Sequence, residues 1–402
     1  MEVKSVAHVV DCFGCGVCAT ICAKSAIKIE LNQDGFYVPT LDKVKCVSCG
    51  LCAEVCAFLQ DGLAVQNTPK SSYGAWSNNP MVRRRCSSGG VAYELGKHFL
   101  NAGYKVCAVR YNVFEQRAEH YIATNEKELM LSIGSKYIQS FTVDGFKSIN
   151  RNEKYLVTGT PCQIDSFRRY IKKNKIEDNF VLMDFFCHSV PSMLAWKKYL
   201  QIVEKQIGPF TYVSWRNKFT GWHDSWAMAI DGCAKGMSAC EDVNWQDSYN
   251  IYVPEKKHSY NSRLSKGDIF YKLFLGDYCC NPACQKNCKY KYDKSSADIR
   301  IGDFWGATYA KNEDGVSSVV AFTDKGNEIL KQLDCTLEEH QFAVVAEGQM
   351  KKNAGKHFFA SIVSIWMKLP QTNEYIIKIV LIIDWIWVLP KRVIIKLKSL
   401  LK

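Results

Sequence analysis

Two runs of cysteine have the spacing of iron–sulfur ligands. Each run reads CxxCxxCxxxC, and together they contain Cys12, Cys15, Cys18, Cys22, Cys46, Cys49, Cys52 and Cys56. In two-cluster ferredoxins the fourth cysteine of each run ligates the other cluster. The pattern therefore predicts one 4Fe-4S cluster on Cys12, Cys15, Cys18 and Cys56, and a second on Cys46, Cys49, Cys52 and Cys22. A zinc ribbon pairs two CxxC knuckles and would leave half of these thiols without a role.

A second concentration of cysteine lies near the middle of the chain, at Cys279, Cys280, Cys284 and Cys288. The last three are spaced at i, i+4 and i+8, so on a helix they would line one face. This spacing predicts a third cluster or metal site. The alternative is a reduced, cysteine-rich packing element beside a sheet.

The segment RRRCSSGGVAYEL at 83–95 has the composition of a phosphate-binding turn. Three arginines precede Ser87, Ser88, Gly89 and Gly90, and an apolar-periodic helix follows. Cationic side chains, hydroxyl groups, bare backbone and a helix N-terminus together can bind a pyrophosphate, as FAD would supply. An ordinary capped helix with a solvated basic turn is the alternative interpretation.

The segment KYLVTGTPCQI places a second loop at the end of an apolar strand. After Gly159, Thr160 is suited to cap a helix and Pro161 to occupy its first position. Cys162 then falls in the first turn, where the helix dipole lowers a thiol pKa. We expect this thiol either to face a flavin or substrate, or to be a packed residue.

The segment FFCHSVPS places Cys187 and His188 after another apolar strand. Ligand sites of open α/β sheets gather at the carboxyl ends of strands. His188 is therefore the histidine best placed for proton transfer near neutral pH. A structural histidine is the alternative.

The elements that must position these residues divide the chain of 402 residues into four segments. Residues 1–60 contain the cysteine runs and predict an α+β, ferredoxin-like dicluster module. Residues 61–72 are polar and predict a linker. Residues 73–345 alternate strands with helices and predict an α/β domain with a largely parallel sheet. Residues 346–402 form a helical, basic and amphipathic C-terminal tail.

The α/β prediction depends on three apolar runs and two helical patterns. The runs are KVCAVRY, KYLVTGT and FVLMDFF, and the helical patterns begin at Cys162 and Met193. Strand-like ADIRIGDF and SSVVAF, then a helix in DKGNEILKQL, extend the domain.

The tail combines apolar and basic residues without a spanning segment. Its longest apolar runs are five residues, Ile379 to Ile383 and Trp385 to Leu389, whereas a spanning helix needs about 20 apolar residues. Past Pro390, apolar and basic residues fall on opposite arcs, with Ile395 the exception. The sequence predicts either a helix docked on the protein's own core or an interfacial helix on anionic lipid.

Composition and charge exclude other classes. With 47% hydrophobic and 23% charged residues, the chain is neither disordered nor collagen-like. Part of the net charge of +12 lies in the last twelve residues, and no nucleic-acid recognition motif accompanies it. The N-terminus lacks the pattern of a signal peptide, so we expect a cytoplasmic protein, peripheral at the inner membrane face if the tail binds lipid.

Several motifs in their order resemble the coenzyme F420 hydrogenase/dehydrogenase beta-subunit family. They are SSGG at 87–90, GSKYIQS at 134–140, GTPCQ at 159–163, CHSVPS at 187–192, FTGW at 219–222 and DIRIGDFWG at 298–306. The resemblance implies an iron–sulfur flavoprotein in which FAD passes electrons from the clusters to a hydride acceptor, coenzyme F420 or another organic substrate. Similar bacterial proteins look like ferredoxin-linked reductases, some of them associated with surface-polysaccharide pathways.

By these motifs, the resemblance also implies site residues. Cys162, Cys187, His188 and Lys136 would be catalytic. Flavin and substrate would be bound by Ser87, Ser88, Gly89, Gly90, Gly134, Tyr137, Gly159, Thr160, Pro161, Gly302, Asp303 and Trp305.

Two functional hypotheses follow. The first is an oxidoreductase that takes electrons from a ferredoxin-like donor through two clusters to FAD and a small-molecule hydride acceptor. The second is a non-catalytic electron-transfer subunit that holds only clusters and relays electrons to a partner subunit. The SSGG and GTPCQ loops favour the enzyme, because a relay would not need them.

Overall fold

The structure is a computed structural model that describes residues 5–9, 11–232, 260–370 and 374–400. The N-terminal module pairs strands β1 (Ile27–Leu31) and β2 (Tyr37–Leu41) in antiparallel register. Two short helices, α1 (Val17–Ile21) and α2 (Leu51–Glu54), follow corresponding positions of the two cysteine runs and contact each other. The module is therefore a duplicated unit, as the repeated sequence predicts.

Most of the remaining chain forms a second, larger α/β unit. Its strands are β3 (Ser71–Ser77), β4 (Lys105–Asn112), β5 (Arg117–Ala123), β6 (Ser140–Phe141), β7 (Tyr155–Thr158), β8 (Phe180–Phe185), β9 (Phe210–Ser214), β10 (Ala227–Gly232), β11 (Tyr260–Arg263), β12 (Ile299–Asp303), β13 (Ser317–Ala321) and β14 (Cys335–Glu339). Its helices are α3 (Pro80–Arg85), α4 (Val91–Asn101), α5 (Glu126–Met130), α6 (Val143–Lys147), α7 (Pro161–Lys173), α8 (Met193–Ile207), α9 (Ile269–Leu275), α10 (Pro282–Lys286), α11 (Asp324–Leu330) and α12 (Phe342–Val345).

Nine of these strands form one mixed sheet, in the order β14-β3-β13-β12-β8-β7-β4-β5-β6. The central strands β12, β8, β7 and β4 pair in parallel, as the alternation of strands and helices predicts. Antiparallel pairs flank them, from β12 to β13, β3 and β14 on one side and from β4 to β5 on the other. Strands β9, β10 and β11 form a separate antiparallel sheet that packs with α8 and α9.

Buried side chains cover both faces of the central strands. Leu156 and Val181 belong to an apolar cluster with α4, whereas Val157 and Leu182 belong to another with α7. Because successive strand residues point to opposite faces, this alternation means that helices cover the sheet on both sides. The helices cover the two faces but leave the carboxyl ends of the parallel strands uncovered by these clusters.

The N-terminal module packs on this α/β unit through buried polar contacts. Ser166 on α7 accepts a hydrogen bond from the Ala57 amide at 3.0 Å, and its Oγ lies 3.2 Å from the sulfur of Cys15. The Gln139 side chain donates to the Phe13 carbonyl at 2.7 Å. Such contacts hold the first cysteine run and the residue after the second run against α7 and the segment that precedes β6.

The tail consists of helices α13 (Ala360–Lys368) and α14 (Glu374–Leu400). Its first part packs on α8 and α9 through Val363, Trp366 and Ile377. Among the described residues, no helix is long and apolar enough to cross a membrane. The side chains past Trp387 lie outside the described part of the chain, and so do those on the basic arc that the sequence predicts.

Candidate functional site

The first cysteine group forms as the ferredoxin spacing predicts. The sulfur of Cys18 interacts electrostatically with those of Cys15, Cys56 and Cys12. The same four residues line one small cavity. Burial raises the pKa of the Cys12 thiol to about 12 and that of Cys56 to about 11. A buried set of four sulfur donors suits iron, which displaces the thiol protons on binding.

The second group lies nearer to solvent. Cys52 interacts with Cys49 and Cys22, which joins the two cysteine runs in the crossed arrangement. Cys49 is exposed and Cys46 is half-buried. A cluster in this group would therefore be the more accessible of the two.

Backbone conformation at the glycines fits loops that wrap a cluster. Gly14 and Gly16 have φ values of +63° and +73°, and Gly50, which occupies the position of Gly16 in the second run, has +80°. A Cβ atom at Gly16 would lie 2.1 Å from the Thr142 hydroxyl. The left-handed conformation and this close approach both require glycine.

A third sulfur group differs from the predicted one. Cys162 interacts electrostatically with Cys284 and Cys187, and Cys187 also interacts with Cys288. Cys284 in turn interacts with Cys288. Four cysteines from three separate loops thus converge beside the first group, because Cys162 also interacts with Cys15. Four thiols grouped in this way can ligate a 4Fe-4S cluster.

The sequence grouping of Cys284 and Cys288 with Cys279 and Cys280 is corrected by this arrangement. Helix α10 covers only Pro282–Lys286, so the i, i+4, i+8 pattern does not lie on one helix. Cys279 packs in the apolar cluster beneath the tail. Cys280 lies with its sulfur 3.5 Å from a carboxylate oxygen of Asp277. These two residues and His188 form a group that could hold a metal ion, so the predicted role of Cys280 as a metal ligand stays a prediction.

A cavity of about 460 Å³ opens at the carboxyl ends of β7, β8 and β12. This volume is in the range of small-molecule and cofactor sites. Thirteen of the sixteen residues predicted for catalysis and cofactor binding line it: Ser87, Ser88, Gly90, Gly134, Lys136, Tyr137, Gly159, Thr160, Cys187, His188, Gly302, Asp303 and Trp305. Gly89, Pro161 and Cys162 are not among its lining residues.

The SSGG loop is held tightly against the sheet. The Ser88 hydroxyl donates to the Val316 carbonyl at 2.7 Å, and the Gly89 amide donates to the Ser317 hydroxyl at 3.0 Å. A Cβ atom at Gly89 would lie 2.2 Å from the Ala75 carbonyl oxygen. Gly90 has φ of +88° and precedes the eleven-residue helix α4. Because Gly90 lines the cavity, the N-terminus of this helix opens there. This cradle fits a diphosphate.

The GTPCQ loop forms the predicted helix start. Thr160 caps α7 in a capping box with Gln163, and Pro161 occupies the first helical position. The expected lowering of the Cys162 thiol pKa is wrong, because burial raises it well above the usual value and the neighbouring Cys284 raises it further. Cys162 therefore fits a metal ligand better than a free thiolate.

Two basic groups face the cavity. Lys136 donates from Nζ to the Ser132 carbonyl at 2.7 Å, and burial lowers its pKa to about 7. The Nε2 atom of His188 lies 2.8 Å from Oδ1 of Asp277, which orients the ring. Lys136 can therefore exchange a proton near neutral pH.

Arg216 is a site residue that the sequence reasoning missed. Its fully buried guanidinium donates to Asp303 at 2.8 Å and to the Tyr137 hydroxyl at 2.9 Å. It also lies 5.0 Å from the ring of Trp226 and 5.4 Å from that of Trp305. A charged residue two positions after the end of strand β9 was the available signal. Arg216 fixes the carboxylate and the aromatic wall on one side of the cavity.

Comparisons with known proteins give two family matches. Residues 152–343 match the C terminus of the beta subunit of coenzyme F420 hydrogenase/dehydrogenase, and residues 11–58 match the 4Fe-4S dicluster domain. A chain in the solved xenon derivative of the F420-reducing NiFe hydrogenase complex from Methanosarcina barkeri is 17% identical. It aligns with a TM-score of 0.44 over 68% of this chain and 83% of that chain. Among curated proteins none matches.

Proposed function

Because the chain joins a 4Fe-4S dicluster domain to the C-terminal domain of the coenzyme F420 hydrogenase/dehydrogenase beta-subunit family, we propose that it is an iron–sulfur flavoprotein oxidoreductase. Electrons from a ferredoxin-like donor would pass through the clusters to FAD, which accepts them singly and delivers them in pairs as hydride to an organic acceptor. The hydride acceptor would be coenzyme F420 or another small molecule. If it is another small molecule, we propose that it belongs to surface-polysaccharide metabolism. We propose that the enzyme acts in the cytoplasm.

The order of the sulfur groups supports an inward electron path. Cys49 of the second group is exposed, whereas Cys12 and Cys18 of the first group are buried. Cys15 of the first group interacts with Cys162 of the third group. Cys187 of the third group lines the cavity. The groups therefore form a series from the surface to the cavity wall, with a ferredoxin-like donor or redox partner subunit at the exposed end.

The single observation that carries the enzyme proposal is the cavity itself. A relay needs clusters alone, but here Gly90 at the start of α4, Lys136, His188 and Asp303 face one space of about 460 Å³. The α4 N-terminus would hold the diphosphate of FAD, and the aromatic wall at Trp305 would border its ring system. Lys136 and His188 would hold or transfer the proton that accompanies hydride transfer.

The test is the cofactor content of protein purified without oxygen. Iron, acid-labile sulfide and extractable flavin are measured per chain, together with the absorption spectrum. About twelve irons and one FAD would support three clusters and the flavoenzyme, whereas about eight irons would leave the third sulfur group without a cluster. A protein that binds no flavin, even after incubation with FAD, would refute the enzyme and leave the electron relay.

A further inference from the structure

Helix α14 is fixed to the protein by one face. Ile377 is fully buried and Val380 is 8% exposed, both within the apolar cluster under the tail. Asp384 accepts a hydrogen bond from the Tyr278 hydroxyl at 2.6 Å and lies 3.2 Å from Nε2 of His357. The helix therefore docks on the protein's own core, as one of the two sequence hypotheses expects. These contacts also prevent it from rotating to bury its other side.

The opposite side of the same helix exposes large apolar side chains. Their exposed fractions reach 57% at Ile382 and Ile386, and 71% at Trp387. This apolar face of α14 consists of Ile376, Ile379, Ile382, Ile383, Ile386 and Trp387. At about 100° per residue these positions share one arc of the helix. Monomeric soluble proteins rarely expose an apolar patch of this kind unless it binds something.

The sequence continues this arc to the end of the helix. Because α14 runs without interruption from Glu374 to Leu400, the same angular period applies beyond Pro390. Val393, Ile394, Leu397 and Leu400 fall on the arc of the apolar face. The opposite arc of α14 packs on the protein in the first half of the helix and is basic in sequence in the second half. Its residues are Lys391, Arg392, Lys396 and Lys398, and Lys402 follows the helix.

From this pattern we infer that the apolar face of α14 docks in the interface of an anionic phospholipid bilayer. Amphipathic helices of 20 to 30 residues with apolar and basic arcs lie in the plane of the headgroups. The exposed Trp385 and Trp387 side chains are of the type that concentrates at membrane interfaces. Lipid would cover the isoleucines, and the five basic residues would meet the headgroup phosphates.

Charge disfavours a second copy of the chain as the occupant. Between Lys391 and Lys402 the sequence has five basic residues and no acidic one. Two copies whose helices paired in parallel along this face would bring two such segments together, and like charges at an interface are repulsive. An anionic membrane surface has the opposite charge, and each basic residue near it raises the binding constant by a factor of about five.

The test is flotation of the full-length, cofactor-loaded protein with lipid vesicles. We expect it to float with vesicles of phosphatidylcholine and phosphatidylglycerol in a three-to-one ratio, and at least about 25-fold less with phosphatidylcholine alone, which lacks the charge that attracts the basic residues. Binding to the anionic vesicles should fall as the ionic strength rises from about 0.1 M to about 1 M, where the Debye length shrinks to about 3 Å.

Three variants locate the contact. The double substitution Ile379→Glu with Ile383→Glu should reduce flotation about tenfold, because it places charges on the apolar face. Lys396→Gln with Lys398→Gln should reduce it about 25-fold. The matched control is Phe114→Glu, since Phe114 is 69% exposed in the loop between β4 and β5. It should bind vesicles like the parent protein.

Two results would overturn the inference. One is equal flotation of parent, Ile379→Glu/Ile383→Glu and control proteins. The other is absence of flotation together with a dimer, measured by light scattering, that the double isoleucine variant dissociates. The second result would assign the apolar face to a copy of the same chain. Iron and flavin contents, measured on each variant, separate a lost contact from a misfolded protein.

Discussion

Replacing Cys284 with serine is expected to remove one iron–sulfur cluster and leave the other two. Cys284 interacts with Cys162, Cys187 and Cys288, and its burial raises its thiol pKa to about 11. Each 4Fe-4S cluster holds four irons, so three clusters correspond to about twelve irons per chain. Because Cys284 lies in the third group alone, the variant should retain about eight irons, a loss of one third.

The matched control is Cys279→Ser. Cys279 is equally buried and lies five positions away, but it packs among apolar residues beneath the tail. It should keep about twelve irons. Iron and acid-labile sulfide are measured on protein purified without oxygen, and electron paramagnetic resonance of the reduced protein counts the clusters. An equal loss of iron in Cys279→Ser and Cys284→Ser would refute the grouping with Cys162 and Cys187.

Three further predictions concern the cavity and the core. Arg216→Met should lower the free energy of unfolding by about 3 to 5 kcal/mol in chemical denaturation, because Asp303 loses its buried partner; a loss below about 1 kcal/mol would contradict this role. Gly89→Ala should weaken FAD binding at least about tenfold in a flavin titration, because the new methyl group would meet the Ala75 carbonyl and displace the SSGG loop. Unchanged affinity for FAD would show that this loop does not bind the flavin. Burial lowers the pKa of His120 to about 4. Between about pH 4 and 6.5 the unfolded chain therefore binds more protons at this residue than the folded chain does. The free energy of unfolding should fall by about 3 kcal/mol as the pH drops through this window. A His120→Gln variant should lose that part of the pH dependence, and an unaltered slope would show that His120 does not titrate as a buried group.

The residues that the sequence predicts well have local causes. Cysteine spacing within one run determines which three thiols would reach one cluster, and Thr160 with Pro161 determines where α7 begins. The SSGG turn likewise precedes α4 because Gly90 adopts a left-handed conformation. Each of these features depends on neighbours within a few positions along the chain.

The third sulfur group could not be predicted in this way. Cys162 follows β7, Cys187 follows β8, and Cys284 and Cys288 come from a loop about one hundred residues later. Only the order of strands in the sheet brings these loops together. The adjacent pair Cys279 and Cys280 is more conspicuous in the sequence, but Cys279 packs beneath the tail and Cys280 lies beside Asp277. The buried Arg216 was missed for the same reason, because its partner Asp303 is distant in sequence.

The sheet topology also explains why the sulfur groups and the cavity share a wall. Strands β7, β8 and β12 are parallel neighbours, so Gly159, Cys187 and Asp303 all emerge at the same edge. At the end of β8 the chain supplies both sites in succession, since Cys187 borders the third sulfur group and His188 is held by Asp277 at the cavity. A shift of one residue in this loop would move Cys187 away from Cys284 and Cys288, and His188 away from Asp277. Residues 186–191 would therefore link the proposed electron path to the proposed chemistry in the cavity.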